Sequence, residues 1–294
     1  MPTKIGTRSG EIVAPAAITH IQALAAFGLL IVAFWPILTA MFGSWFDNLA
    51  YMEHGVLVAP VAGWMVWSKR AQLSEIPREP STWGMVWMLV GAIQACFGMA
   101  AHWVWVSRVA VIVSLAGGVM AFYGSKTLRA LSFPMATLFL MIAPPTFLYE
   151  RLTLGLQLLA SRLGEAVLEA MGYPVLREGN ILELVGGKLS IAEACSGIRS
   201  LPAIIFVTTT YDFFVVEGKL LRIFLLIMSA PIAILGNGLR IVVTGIASQH
   251  GGQLTQGAAH ETLGYLTVAM SGTGCVLLHL AVLSIQKARR SRRG

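Results

Sequence analysis

Three side chains in this sequence combine a reactive type with a place at or near the edge of a long apolar run: Cys195, Arg240 and His260. Cys195 lies in Glu193-Ala194-Cys195-Ser196-Gly197, where an apolar run that reads as a helix begins. Free N–H groups at a helix start lower a thiol's pKa and donate to an oxyanion, so this position favours a nucleophile. The alternative is a small buried residue, the role expected of Cys96 and Cys275 inside apolar runs. Three cysteines make neither an even-numbered disulfide framework nor a metal-ligand spacing, so any special role belongs to a single thiol.

Arg240 follows Leu235-Gly236-Asn237-Gly238-Leu239 within an otherwise apolar stretch. An arginine inside hydrocarbon costs about 2.5–3.5 kcal/mol or more, so it calls for either a function or a structural partner. Beside a thiolate it would depress the thiol pKa or hold a carbonyl oxyanion. His260, in Ala258-Ala259-His260-Glu261-Thr262, opens the last apolar run. A histidine titrates near neutrality and can accept the thiol proton and return it to a leaving amine. His54 and His250 are rival bases, and composition and spacing do not rank the three; His20, His102 and His279 read as structural. His54, His250, His260 and Glu261 contain no metal-binding pair such as H-E-x-x-H, so neither a metal nor another cofactor is expected.

The elements that position these residues are membrane helices. Of 294 residues 56% are apolar and only 12% charged, and the mean hydropathy is +0.73, whereas soluble domains carry about a quarter charged residues. A helix of about 20 residues crosses the hydrocarbon, and eight runs qualify or nearly so: 18–42, 55–68, 82–101, 103–123, 130–148, 197–216, 221–247 and 262–286, the second being short. The expected fold is therefore an all-α polytopic membrane protein, a single domain over 1–294. Lys and Arg accumulate on the cytoplasmic side. With both termini inside, about two thirds of the 21 basic residues fall there, including Lys69, Arg70, Lys126, Arg129, Lys219, Arg222 and the tail from Lys287 to Arg293. The same orientation brings Cys195, Arg240 and His260 to the outer leaflet. The net charge of +7 reflects this topology and not nucleic-acid binding, since no aromatic-basic stripe sits on a soluble module. The first apolar run, from Ile12 to Phe46, is too long for a signal-peptide core, so the N-terminus is expected to be retained in a multi-pass inner-membrane protein.

The one sizeable region between spans is 149–195, on the outside. Leu152, Leu156, Leu159, Leu163, Val167 and Met171 recur at helical spacing and predict an amphipathic helix lying in the interface, or else an ordinary core-facing one. Beyond Gly172-Tyr173-Pro174, the runs 181–185 and 188–191 around Gly186-Gly187 predict a small β-hairpin that leads into Cys195.

With Ala194-Cys195-Ser196-Gly197-Ile198-Arg199-Ser200, Asn237-Gly238-Leu239-Arg240-Ile241, and His260 with Gly264, the chain resembles the exosortase/archaeosortase family over most of its length. Glu53-His54-Gly55 with Leu57 and Pro60, and Arg177-Glu178-Gly179-Asn180, add to the resemblance. It implies a cysteine peptidase or transpeptidase with Cys195, Arg240 and His260 as the catalytic set. Ser196, Gly197, Arg199, Asn237 and His54 would support it or contact substrate. The implied substrate is a secreted protein with a C-terminal sorting signal, namely a Pro-Glu-Pro-like motif, a transmembrane helix and a basic tail, often alongside exopolysaccharide production. The acceptor stays open between water and an amine. Some members continue into an additional soluble domain, whereas this sequence ends at Arg292-Arg293-Gly294, so any activity of that domain is expected to be absent or supplied separately. Two other readings need no nucleophile: a transporter that uses Arg240 to bind an anion, and a scaffold for polysaccharide assembly.

Overall fold

The computed structural model describes residues 16–46, 52–185, 187–191, 200–249 and 257–291, with the backbone alone at 16–20, 257, 258, 260 and 261. In chain order the helices are α1 (Ala16–Ala33), α2 (Trp35–Trp45), α3 (Gly55–Ser68), α4 (Arg70–Ser74), α5 (Thr82–Ala100), α6 (Val104–Tyr123), α7 (Ser125–Ala130) and α8 (Ser132–Thr137). A 3₁₀ turn (Leu138–Met141), α9 (Thr146–Ala170), strands β1 (Val175–Glu178), β2 (Ile181–Leu184) and β3 (Gly187–Ser190), and helices α10 (Ser200–Phe214), α11 (Lys219–Gln249) and α12 (Gly257–Ser291) complete the order. They form two compact units, Met1–Ala40 with Arg70–Ser132, and Met41–Lys69 with Phe133–Gly294.

The first unit is organised around the antiparallel pair α5 and α6. Gly84, Gly91 and Gly98 recur every seven residues on α5, and each lies where a Cβ would run into α6 at Ala121, Ser114 or Ser107. Backbones this close trade side-chain bulk for extensive van der Waals contact. His102 turns the chain between the two helices in a left-handed conformation, φ +52°, which fits the structural role expected of it. Cys96, expected to be buried, is instead exposed: the glycines and Ala95 occupy the packed face of α5, which leaves position 96 on the outward face.

In the second unit Pro144 and Pro145 end the run that begins at Ser132, because proline lacks the amide a helix interior needs. The helical pieces on either side differ in direction by 78°. Helix α9 turns a face of Thr153, Ala160, Ser161, Gly164 and Leu168 inward. Of the predicted stripe, Leu152, Leu159, Val167 and Met171 are exposed and Leu156 and Leu163 are partly buried, so most of the stripe is an apolar face that the rest of the chain leaves uncovered. Small residues set how α9 meets α11: a Cβ on Gly164 would stand 2.8 Å from the Ile241 Cγ2, and one on Gly245 3.2 Å from Leu168.

The predicted hairpin is present and gains a strand. The sheet order is β1-β2-β3, antiparallel throughout, with Glu178 opposite Ile181 and Leu184 opposite Gly187. The two residues between the first pair, Gly179 and Asn180, make a two-residue hairpin turn with Gly179 at φ +64°. Strand β3 starts at Gly187, one residue earlier than expected. Alternation puts Leu182, Leu184, Leu189 and Ile191 into one buried cluster with Ala160 and Leu168 of α9 and Ile241 and Val242 of α11.

Among the described residues four helices are long and apolar enough to cross a membrane, and up to six spans result if each of two bent pairs counts once. The expected count of eight is not confirmed by these helices. The first expected span is bent by 66° between Ile21–Ala33 and Trp35–Trp45, where Pro36 interrupts the hydrogen-bond ladder. The expected span 55–68 is a helix of 14 residues, short of the hydrocarbon thickness. The expected span 130–148 breaks at the proline pair. The described part of 197–216 is the 15 residues of α10, which include Thr208, Thr209, Thr210, Tyr211 and Asp212.

Candidate functional site

Arg240 is 8% exposed despite standing in the apolar α11. The sequence around it explains its setting. Gly236 allows α12 to approach, since a Cβ there would collide with the Ser271 hydroxyl, and Gly238 faces Leu163 of α9. Ile241 joins the buried cluster beneath the sheet. Asn237, one helical turn earlier, is buried at 1% exposure. With neighbours on both sides fixing the helix, Arg240 borders a cavity of about 280 Å³ with Glu53, His54, Leu57, Ser200, Ala203, Gly264, Tyr265 and Val268.

Most of the cavity lining lies in or next to the stretches singled out above. Ser200 opens α10, five residues after Cys195. Gly264 lies one helical turn after His260 on α12. A Cβ at Gly264 would lie 3.7 Å from both terminal nitrogens of Arg240, an ordinary contact distance, so the guanidinium lies beside the α12 backbone at this position. Glu53 and His54 come from the turn that starts α3. Gly55, next in that motif, is needed because a Cβ would stand 2.5 Å from the Trp45 indole.

His54 has a local structural bond. Its Nε2 is 3.1 Å from the Leu140 carbonyl, an acceptor, so Nε2 carries the proton and Nδ1 is the acceptor when the ring is neutral. Burial holds its pKa below the usual histidine value, against the opposing pull of the Leu140 carbonyl and of Glu53. The Trp45 indole donates to the Met141 carbonyl at 3.0 Å. Together they tie off the end of the 3₁₀ turn just ahead of the proline break.

The sheet is fastened to α9 and to Ile191, where the described residues before Cys195 end. The Arg177 Nε donates to Glu165 at 2.6 Å, and the Ser161 hydroxyl donates to the Gly179 carbonyl at 3.0 Å, which fastens the β1–β2 turn to α9. Asn180 donates through Nδ2 to the Ile191 carbonyl at 3.2 Å and accepts from the Ile191 N–H at 2.8 Å. Ile191, fully buried, is thus anchored four residues before Cys195.

Arg240 and His54 are the sequence-expected site residues that meet at the cavity. Cys195, Ser196, Gly197, Arg199 and the rival base His250 lie outside the described residues, and His260 is described by its backbone in α12. Glu53, Ser200 and Tyr265 line the cavity without having been singled out as site residues. Tyr265 had a usable signal, a half-polar ring at the start of an apolar run near His260.

Residues 45–278 match the family model of the transmembrane exosortase. The chain belongs to that family. The matched range contains every motif on which the resemblance rested, from Glu53-His54-Gly55 to His260 and Gly264. No curated protein and no solved structure matches the chain. This exosortase is accordingly a multi-pass membrane protein, and Arg240, His54 and Gly264 line one of its cavities.

Proposed function

We propose that this exosortase is a membrane cysteine peptidase or transpeptidase that cleaves the C-terminal sorting signal of secreted proteins at the extracytoplasmic face of the inner membrane. Cys195 attacks the scissile carbonyl as a thiolate, Arg240 stabilises the tetrahedral oxyanion, and His260 takes the thiol proton and gives it to the departing amine. The C–N bond breaks, a Cys195 thioester forms, and water or an amine resolves it. The observation that carries the reading is the cavity that Arg240 lines together with Ser200, five residues after Cys195 in the sequence, and Gly264, four residues after His260. Family membership supports the same chemistry.

The test is co-expression of the wild type or Cys195→Ala with a reporter that ends in a sorting signal, followed by reporter mass and membrane retention. Cleavage by the wild type and none by the variant is expected. Equal cleavage by both removes Cys195 from the mechanism.

A further inference from the structure

The second unit holds another cavity, of about 220 Å³, toward the C-terminal end of α10. Its walls are apolar, with Phe133, Leu140, Ile205 and Leu226 among them, and two charged residues face into it, Asp212 and Arg222. Asp212 is 2% exposed, and its Oδ1 is sealed from solvent without accepting a hydrogen bond. Arg222 donates its Nε to the Val216 carbonyl at 2.9 Å, and no ion pair joins the two charges among the described residues.

A carboxylate oxygen left without a donor in an apolar wall is costly, and a proton or a cationic donor relieves that cost. A simple cation would satisfy Asp212 and meet repulsion from Arg222, and a simple anion would meet the reverse. A zwitterion satisfies both.

The surroundings suit a lipid headgroup. Lys69 lies over the Phe213 ring at 5.2 Å, and the Trp64 and Phe214 rings meet at a tilt with centroids 5.1 Å apart. Such cations and aromatic rings mark the membrane–water boundary. Ile223 and Leu226 line the cavity and are 45% and 40% exposed, so it adjoins an apolar outer surface.

We propose that this cavity binds the headgroup of an aminophospholipid, with the ammonium on Asp212, the phosphate on Arg222, and the acyl chains over Ile223 and Leu226. The site is independent of the chemistry assigned to Cys195, so either reading can fail alone.

The experiment offers the delipidated full-length protein equal amounts of phosphatidylethanolamine, phosphatidylcholine and phosphatidylglycerol with matched chains, and counts bound lipid by native mass spectrometry. Phosphatidylethanolamine should be retained about tenfold over either competitor, since a trimethylammonium donates no hydrogen bond and glycerol carries no charge. Asp212→Asn should abolish the preference over phosphatidylglycerol, and Arg222→Gln should weaken retention of all three. Equal retention of the three by the wild type overturns the proposal without recourse to any variant. Preference for phosphatidylglycerol also overturns it, leaving an anion site at Arg222 and Lys69.

Discussion

Arg240 and His54 share one cavity, yet different forces hold them and different losses follow from changing them. Arg240 packs its guanidinium on the α12 backbone at Gly264, where a planar fork fits and an ammonium on a thinner stem does not fill the same space. Arg240→Lys keeps the charge and should still slow sorting-signal cleavage by about a hundredfold, the usual cost of losing an oxyanion donor; a normal rate would exclude a bidentate role. Alanine at His260 should abolish cleavage, whereas alanine at His250 should leave it intact, and loss confined to His54 or His250 would reassign the base. His54 makes its own pH prediction. Its folded pKa lies below the ordinary value of about 6.5, so as pH falls the unfolded chain takes up the proton first. The stability present above about pH 6.5 is therefore lost on acidification. Melting temperatures at about pH 7.5 and about pH 5.5 should diverge less in His54→Gln, whose amide can still donate to Leu140, than in the wild type.

At the scale of elements, the seam between α9 and α11 connects the sheet to the cavity. Gly164 meets Ile241, the residue after Arg240, and a Cβ there would stand 2.8 Å from the Ile241 Cγ2. Gly164→Ala should cost about 1–3 kcal/mol by overpacking and also lower cleavage, because the crowded Ile241 directly follows Arg240 on α11. Adding Ile241→Ala should give a double variant less unstable than the sum of the two, read by thermal unfolding; strict additivity would mean the helices part elsewhere. The sequence made the long helices α5, α6, α11 and α12 legible because uninterrupted hydropathy is a one-dimensional property. It did not reveal the 78° bend at Pro144-Pro145 as the end of a span, since a window of apolar residues carries no direction. The leucine stripe of α9 was visible as periodicity, but whether it met protein or lipid depended on the glycine and serine face opposite. Strand β1 lies outside the expected hairpin, although Gly179-Asn180 is a hairpin turn signal, because Val175-Leu176-Arg177-Glu178 lacks the apolar run that marks 181–185. Arg177 and Asn180 prove to fasten the sheet to α9 and to the segment that precedes Cys195.

At the scale of the whole molecule, function depends on which side of the membrane each loop occupies. Helix α11 carries both Arg222 and Arg240 in one run of 31 residues, and a rise of about 1.5 Å per residue separates them by about 27 Å. The hydrocarbon is about 30 Å thick, so if Arg222 marks one boundary, Arg240 reaches the other. Helix α12 runs the opposite way and carries Arg289 and Arg290 in its last turn, which assigns its end, like Arg222, to the side where basic residues collect. Together these two helices predict that the sheet and the Arg240 cavity face away from the cytoplasm. Alkaline phosphatase inserted after Ser190 should be active, and green fluorescent protein joined after Ser291 should fluoresce. The reverse pattern would turn the cavity toward the cytoplasm, where a signal on a secreted protein cannot be cut at its exported side. That result would dismiss the proposed substrate while leaving Cys195 chemistry open to a cytoplasmic one.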